Sequence, residues 1–304
     1  MFEYYFRHIV TYRRPSLGAY FASRPLLLTS MDGIEDTWNV YATPAAISFV
    51  LLLAETIYLT ASLSETKGWR AVGEGSRDVK GEDGAVTSRD SSEKRLARLS
   101  AISRLHGLFL LFFSGAEFTL TFLTYDLFAA TNAQNGRLLS FIGVLAALLQ
   151  ARHVRPSLIR LGELRLASFG ILSCVVALAL LATLPVDIIR TSTILSTSVL
   201  YGAATGMAYT SATVVTGLTA AAAGCCDEGV EGLKRGRALG GFRSVGQLGR
   251  AVGPILASSI YWVQGPGACY ATIGTCLAGV WLVSRGQAEE ERERKMAATS
   301  STKL

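Results

Sequence analysis

The sequence predicts an all-α membrane protein of about seven transmembrane helices, and three observations carry that reading. Of its 304 residues, 50% are hydrophobic and only 17% are charged, against about 25% charged in a soluble domain. Several apolar stretches reach the roughly 20 residues that a helix needs to cross a bilayer core. The basic residues fall in alternate connections between those stretches, the pattern that membrane topology imposes.

Taken in order, a short apolar piece at Leu17–Ala22 precedes a first full span at Tyr41–Leu63. Further spans are expected at Leu105–Phe128, Leu138–Gln150 (with a start near Gly136 as an alternative), Leu166–Leu184, Thr193–Ala221, Leu239–Val263 and Ala268–Val283. The connections 64–103, 151–165 and 227–238 are rich in Lys and Arg; those between them are nearly bare. Excess Lys and Arg mark the cytoplasmic side, so the tail after Arg285 is expected there and Arg24–Val40 outside. Residues 64–103 are rich in Gly, Ser and charge and read as a flexible linker, with a short helix near Ser92–Ser103. The EEERERK tail reads as a solvated helix end.

The net charge of +6 does not indicate nucleic acid, because the basic side chains are distributed by topology. The start shows no cleavable signal peptide. Cys174, Cys225, Cys226, Cys269 and Cys276 form no metal or disulfide spacing. The adjacent Cys225 and Cys226 are either small interface residues or a palmitoylation site. No phosphate loop, zinc-protease motif or nucleophile elbow is present. No enzyme, metal or cofactor is therefore expected.

One carboxylate stands out. Glu117, in FSGAEFTLTFL, lies about 18 Å along its helix from Leu105, near the bilayer midplane. A charge facing lipid there costs at least about 2.5 kcal/mol, so the side chain is expected to face the bundle interior. Ser114, Glu117, Thr121 and Thr124 form a polar stripe at helical spacing. On the span Leu239–Val263, Arg243, Gln247, Arg250 and Pro254 share another face. Arg250 lies at a similar depth to Glu117, which makes it a candidate counter-charge. Two readings stay open for Glu117: a protonatable or cation-pairing group on a transport path, or a buried acid bonded to a neighbouring helix. Glu55 carries the same two readings, and Asp126 reads as solvated or capping. The span Thr193–Ala221 is rich in Ser, Thr and Tyr, among them Tyr201, Tyr209 and Thr213. They read either as packing contacts or as a cavity wall. A faint repeat relates RRPSLGAYFAS (Arg13–Ser23) to GRAVGPILASS (Gly249–Ser259).

These stretches, with NVYATPAA, LSETKGW, FSGAEFTLTFLTYD and GRLLSFIGVLAALLQ, resemble the major facilitator superfamily over most of residues 15–285. They are most similar to its tetracycline-transporter-like branch. The resemblance implies two six-helix bundles around a central path, with this chain equivalent to span six plus the C-terminal bundle. Residues 1–40 would be a remnant of span five and an outer loop, 41–63 span six, and 64–103 a cytoplasmic linker. Residues 104–285 would be the C-terminal six-helix bundle and 286–304 a cytoplasmic tail. Gly249, Gly253 and Pro254 resemble the glycine–proline motif of antiporters. The implied function is efflux of drugs or organic ions, with proton coupling and multidrug resistance among the family's properties. Glu117 would be the coupling group, Arg250 its counter-charge, and Thr121, Thr124, Tyr201, Tyr209 and Thr213 path-lining residues. The expected partners are a small-molecule substrate, protons, the lipid bilayer, and a missing N-terminal bundle or second subunit. A plasma-membrane, vacuolar or other endomembrane location fits. Departures include Ser64 for an expected proline, Tyr125 for histidine, and Ala151–Arg152 for a glycine pair. The alternatives are a non-functional fragment and a seven-span receptor; the receptor reading lacks the D-R-Y and N-P-x-x-Y motifs.

Overall fold

The computed structural model describes residues 27–29, 35–37, 42–62, 83–227 and 229–301. The chain divides into two units, one of Met1–Thr87 with Asn132–Arg137, the other of Ser88–Thr131 with Leu138–Leu304. The PSLGAYFAS copy of the repeat and residues 64–82 of the expected linker lie outside the described residues. In the first unit, β1 (Leu27–Thr29) pairs antiparallel with β2 (Glu35–Thr37), Leu28 opposite Asp36. This short ribbon, in the expected outer loop, is a departure from all-α architecture that no strand pattern in the sequence announced. The same unit holds α1 (Ala42–Ser62), a 21-residue helix. Phe49 to Leu53 form an unbroken exposed apolar run on it, the composition of a helix whose surroundings are oily on all sides.

The second unit is a helix bundle. Its members are α2 (Asp83–Phe128), α3 (Asn132–Leu149), α4 (Arg155–Leu161), α5 (Glu163–Thr183), α6 (Asp187–Arg190), α7 (Thr193–Ala223), α8 (Arg235–Gln264) and α9 (Pro266–Ser301). Seven helices of 18 residues or more are thus described, and α1, α2, α3, α5 and α9 are apolar enough to cross a membrane. The other two are long enough but more polar. On α7 the Thr205, Thr210, Thr213 and Thr216 hydroxyls all donate to carbonyls of their own helix, which silences them in an apolar setting. The core centres on α5, whose Ile171, Cys174, Leu178 and Leu181 are fully buried between α7 and α9.

Two expected loops are helix instead. The segment Asp83–Ser103, read as mostly flexible linker, continues without a break into the span, giving a helix of 46 residues. Leu99, Ile102 and Leu105 are buried along it at three-residue spacing, and burial of that stripe outweighs the polar composition between them. After α3, the expected basic loop is a widened helical turn (Gln150–Val154) leading into α4. Pro156 is tolerated there because it sits in the first turn of α4, where no helical partner for its missing N–H is needed. The chain then reverses at Gly162, with φ 85° and ψ 163°, backbone that only glycine adopts without strain. Gly265, at φ 87°, makes the equivalent reversal between α8 and α9.

The tail is likewise not simply solvated. Arg98 on α2 meets Glu291 on α9 at 2.9 Å, with the Glu291 side chain only 12% exposed. Next to it, Arg95 bonds Asp227 at 2.9 Å. At the other end of the same two helices, the Thr119 and Tyr270 hydroxyls lie 3.1 Å apart. These contacts set α2 and α9 antiparallel.

Helices α2 and α8 meet backbone to backbone. A methyl group on Gly249 would overlap the carbonyl oxygen of Gly107, and one on Gly253 would overlap that of Leu111. One on Gly115 would come 2.8 Å from the Gly253 carbonyl oxygen. Substituting Gly253 by Leu is expected to lower stability by about 1–3 kcal/mol through overpacking, read as a fall in melting temperature in detergent. Gly240→Ala, where the space is open, does not lower the melting temperature, since alanine favours the helix. The thiols report the packing independently. Cys174, Cys225 and Cys269 are buried and Cys276 is exposed; burial also pushes the Cys225 thiol above its ordinary pKa. A maleimide at neutral pH therefore modifies Cys276 first. Cys174, Cys225 and Cys269 react at least tenfold more slowly until the protein is denatured, as followed by peptide mass spectrometry.

Candidate functional site

The site is built on the α2–α8 contact. Proline at position 254 lies inside α8 and has no N–H to give to the carbonyl four residues earlier, which belongs to Arg250. In an apolar medium that freed acceptor needs another donor. Ser114 of α2 supplies it: its Oγ donates to the Arg250 carbonyl oxygen at 3.3 Å. The approach is possible because Gly253 is beside it, where a Cβ would stand 2.5 Å from Ser114 Oγ. Glycine, proline and serine thus act together at one crossing, and they fix where the Arg250 side chain leaves its helix.

One turn along α2, Glu117 Oε2 lies 3.8 Å from Arg250 Nη2. The two side chains remain 36% and 56% exposed. At a depth where an uncovered charge costs about 2.5–3.5 kcal/mol against lipid, this face is suited to water, a solute or a further polypeptide surface. Arg243 and Gln247 continue the exposed polar face of α8 toward the basic end.

The other expected residues take different partners. Thr121 and Thr124 turn their hydroxyls back onto Phe118 and Leu120 of their own helix, and Thr124 is buried. Thr213 is fully buried and packs on Gly170 of α5. Tyr201 is exposed and stands edge-on to Phe141 of α3, ring centres 5.3 Å apart. The Tyr209 ring lies 5.7 Å from that of His153. Glu55 is exposed on α1. His106 stacks on Phe242 at 4.2 Å and fills the space beside Gly246.

Sequence reasoning missed two polar contacts. Asp126, read as solvated or capping, accepts a 2.6 Å hydrogen bond from the Tyr261 hydroxyl of α8. Nothing in one sequence reveals such a lateral partner. The Ser114 bond did leave a signal, since an intrahelical proline always frees the carbonyl four residues before it. Among the described residues no group of three His, Cys, Asp or Glu side chains is placed to hold a metal.

No family model matches the chain. It is 33% identical over 187 residues to the human major facilitator superfamily domain-containing protein 10, covering 60% of this chain and 36% of that protein. The bovine counterpart is 34% identical over 179 residues, covering 58% of this chain and 35% of its own length. The chain therefore spans about a third of the length of the curated relatives it matches. Among solved structures it is similar to the human organic anion transporter MFSD10, with a TM-score of 0.52 and 29% identity over 62% of this chain and 41% of that one. By its apolar helices and these likenesses, the chain is a multi-pass integral membrane protein that resembles the major facilitator superfamily over about 60% of its length.

Proposed function

We propose that the chain forms part of a transmembrane transporter for small amphipathic organic ions, with Arg250 and Glu117 on the substrate path. One observation carries this reading: a mid-span ion pair is fixed by backbone geometry yet left open on one side. The human protein of similar fold is described as an organic anion transporter, which favours an anionic substrate. In this reading Arg250 attracts the anion, which competes with Glu117 for the guanidinium. A carboxylate that loses its counter-charge in a low-dielectric site favours its protonated form. Anion binding and proton uptake are then linked, the basis of proton-coupled antiport in the efflux direction. Thr121, Tyr201 and Tyr209, which keep some exposure, line the path; Thr124 and Thr213 serve in packing.

The wider assignment follows the same logic. Residues 104–285 act as the C-terminal bundle and residues 64–103 as the cytoplasmic connection, partly helical. An N-terminal bundle, on the same or another chain, closes the open face. Membership in the tetracycline-transporter-like branch, and a plasma-membrane or endomembrane site, complete the proposal.

Binding of a fluorescent organic anion to the purified chain across pH tests the reading. Glu117→Gln binds tightly with no pH dependence, whereas Arg250→Ala binds at least tenfold more weakly at every pH. Fluorescence titration between pH 5 and 8 measures both. A Glu117→Gln profile that follows wild type removes Glu117 from the coupling. An Arg250→Ala affinity equal to wild type removes Arg250 from the path.

A further inference from the structure

On the face of α2 adjoining the Gly-mediated contact, a groove of about 580 Å³ runs between α2 and α9. Its α2 wall carries Ala101, Arg104, Leu105, Leu108 and Phe112, and its α9 wall carries Cys276, Gly279, Val280, Val283 and Gln287. Both sets follow the same helical spacing, three, four, seven and eleven residues from the first. Because the helices are antiparallel, Arg104 and Gln287 share the basic end, and Phe112 and Cys276 share the other. From Ala101 to Phe112 the groove is roughly 17 Å long, close to half of the ~30 Å hydrocarbon core. It is as long as one leaflet is deep.

The mouth differs from the walls. Arg95, Arg98 and Arg285 on these two helices have carboxylate partners. Arg104 is exposed and has no ion pair among the described residues. Gln287 Oε1 is buried with no hydrogen-bond partner. A free cation and an unsatisfied acceptor therefore stand together at the head of an apolar channel one leaflet long. Gly279 widens the channel, since a Cβ there would touch nothing within 4 Å.

We propose that this groove is a binding site for an anionic glycerophospholipid of the leaflet at the basic end. One acyl chain lies between α2 and α9, the phosphate is held by Arg104, and a headgroup hydroxyl donates to Gln287. The occupant is lipid rather than a free phosphate, because below Arg104 and Gln287 the walls are built of Leu105, Leu108, Phe112, Val280 and Val283. The site is separate from the Glu117–Arg250 pair and stands whatever that pair does.

Native mass spectrometry of the chain with phosphatidylglycerol or phosphatidylcholine tests it. Wild type is expected to retain phosphatidylglycerol about fivefold better, the size of one basic side chain's attraction to an anionic lipid. Arg104→Gln brings the two lipids to parity, and Gly279→Phe, which fills the channel, loses both. Glycerol phosphate without acyl chains does not compete. Equal retention of both lipids by wild type, unchanged retention by Gly279→Phe, or full competition by glycerol phosphate would overturn the proposal. If a variant fails to fold, wild type alone decides.

Discussion

Hydrocarbon offers no hydrogen bonds, and that single constraint governs the crossing of α2 and α8. Pro254 opens the α8 ladder by removing one donor. The freed carbonyl must find another within reach, and Ser114 meets it only because the two backbones touch. They touch because Gly107, Gly249 and Gly253 carry no side chains. Each element of the arrangement is thus the condition for the next. The guanidinium of Arg250 inherits its position from this chain of requirements, and Glu117 pairs with it where it emerges.

The same constraint explains α7. By composition it is too polar to pass as a membrane helix, and its twelve hydroxyl-bearing residues suggested a wet wall as readily as a packed one. The hydroxyls of Ser196, Thr205, Thr210, Thr213 and Thr216 close onto their own backbone, and Thr213 and Thr210 are fully buried against α5. Ser and Thr carry their own nearby acceptor, so a helix full of them can be polar in sequence and dry in place. Tyr201, whose hydroxyl is too far from the backbone to do this, stays at an exposed edge beside Thr205.

What the sequence made legible follows from range. Span positions were readable to within a few residues where a long apolar run met a glycine, as at Gly265, or a polar connection, as after Ala223. The shared depth of Glu117 and Arg250 was readable because helical rise is fixed. Their lateral contact was not, because crossing depends on which faces pack. The helix Asp83–Ser103 was underestimated because its charged composition resembles a linker, whereas Leu99, Ile102 and Leu105 place every third residue against the bundle. Asp126 and Glu291 were read as solvent-facing because their partners, Tyr261 and Arg98, are more than a hundred residues away.

The uninterrupted length of α2 has a mechanical corollary. Glu117 and Arg98 ride on one rod, 19 residues and therefore roughly 29 Å apart. A tilt of about 10° pivoting at the ion pair swings Arg98 through roughly 5 Å, farther than its 2.9 Å clasp on Glu291 can stretch. The tail of α9 must then either travel with the lever or let go of it.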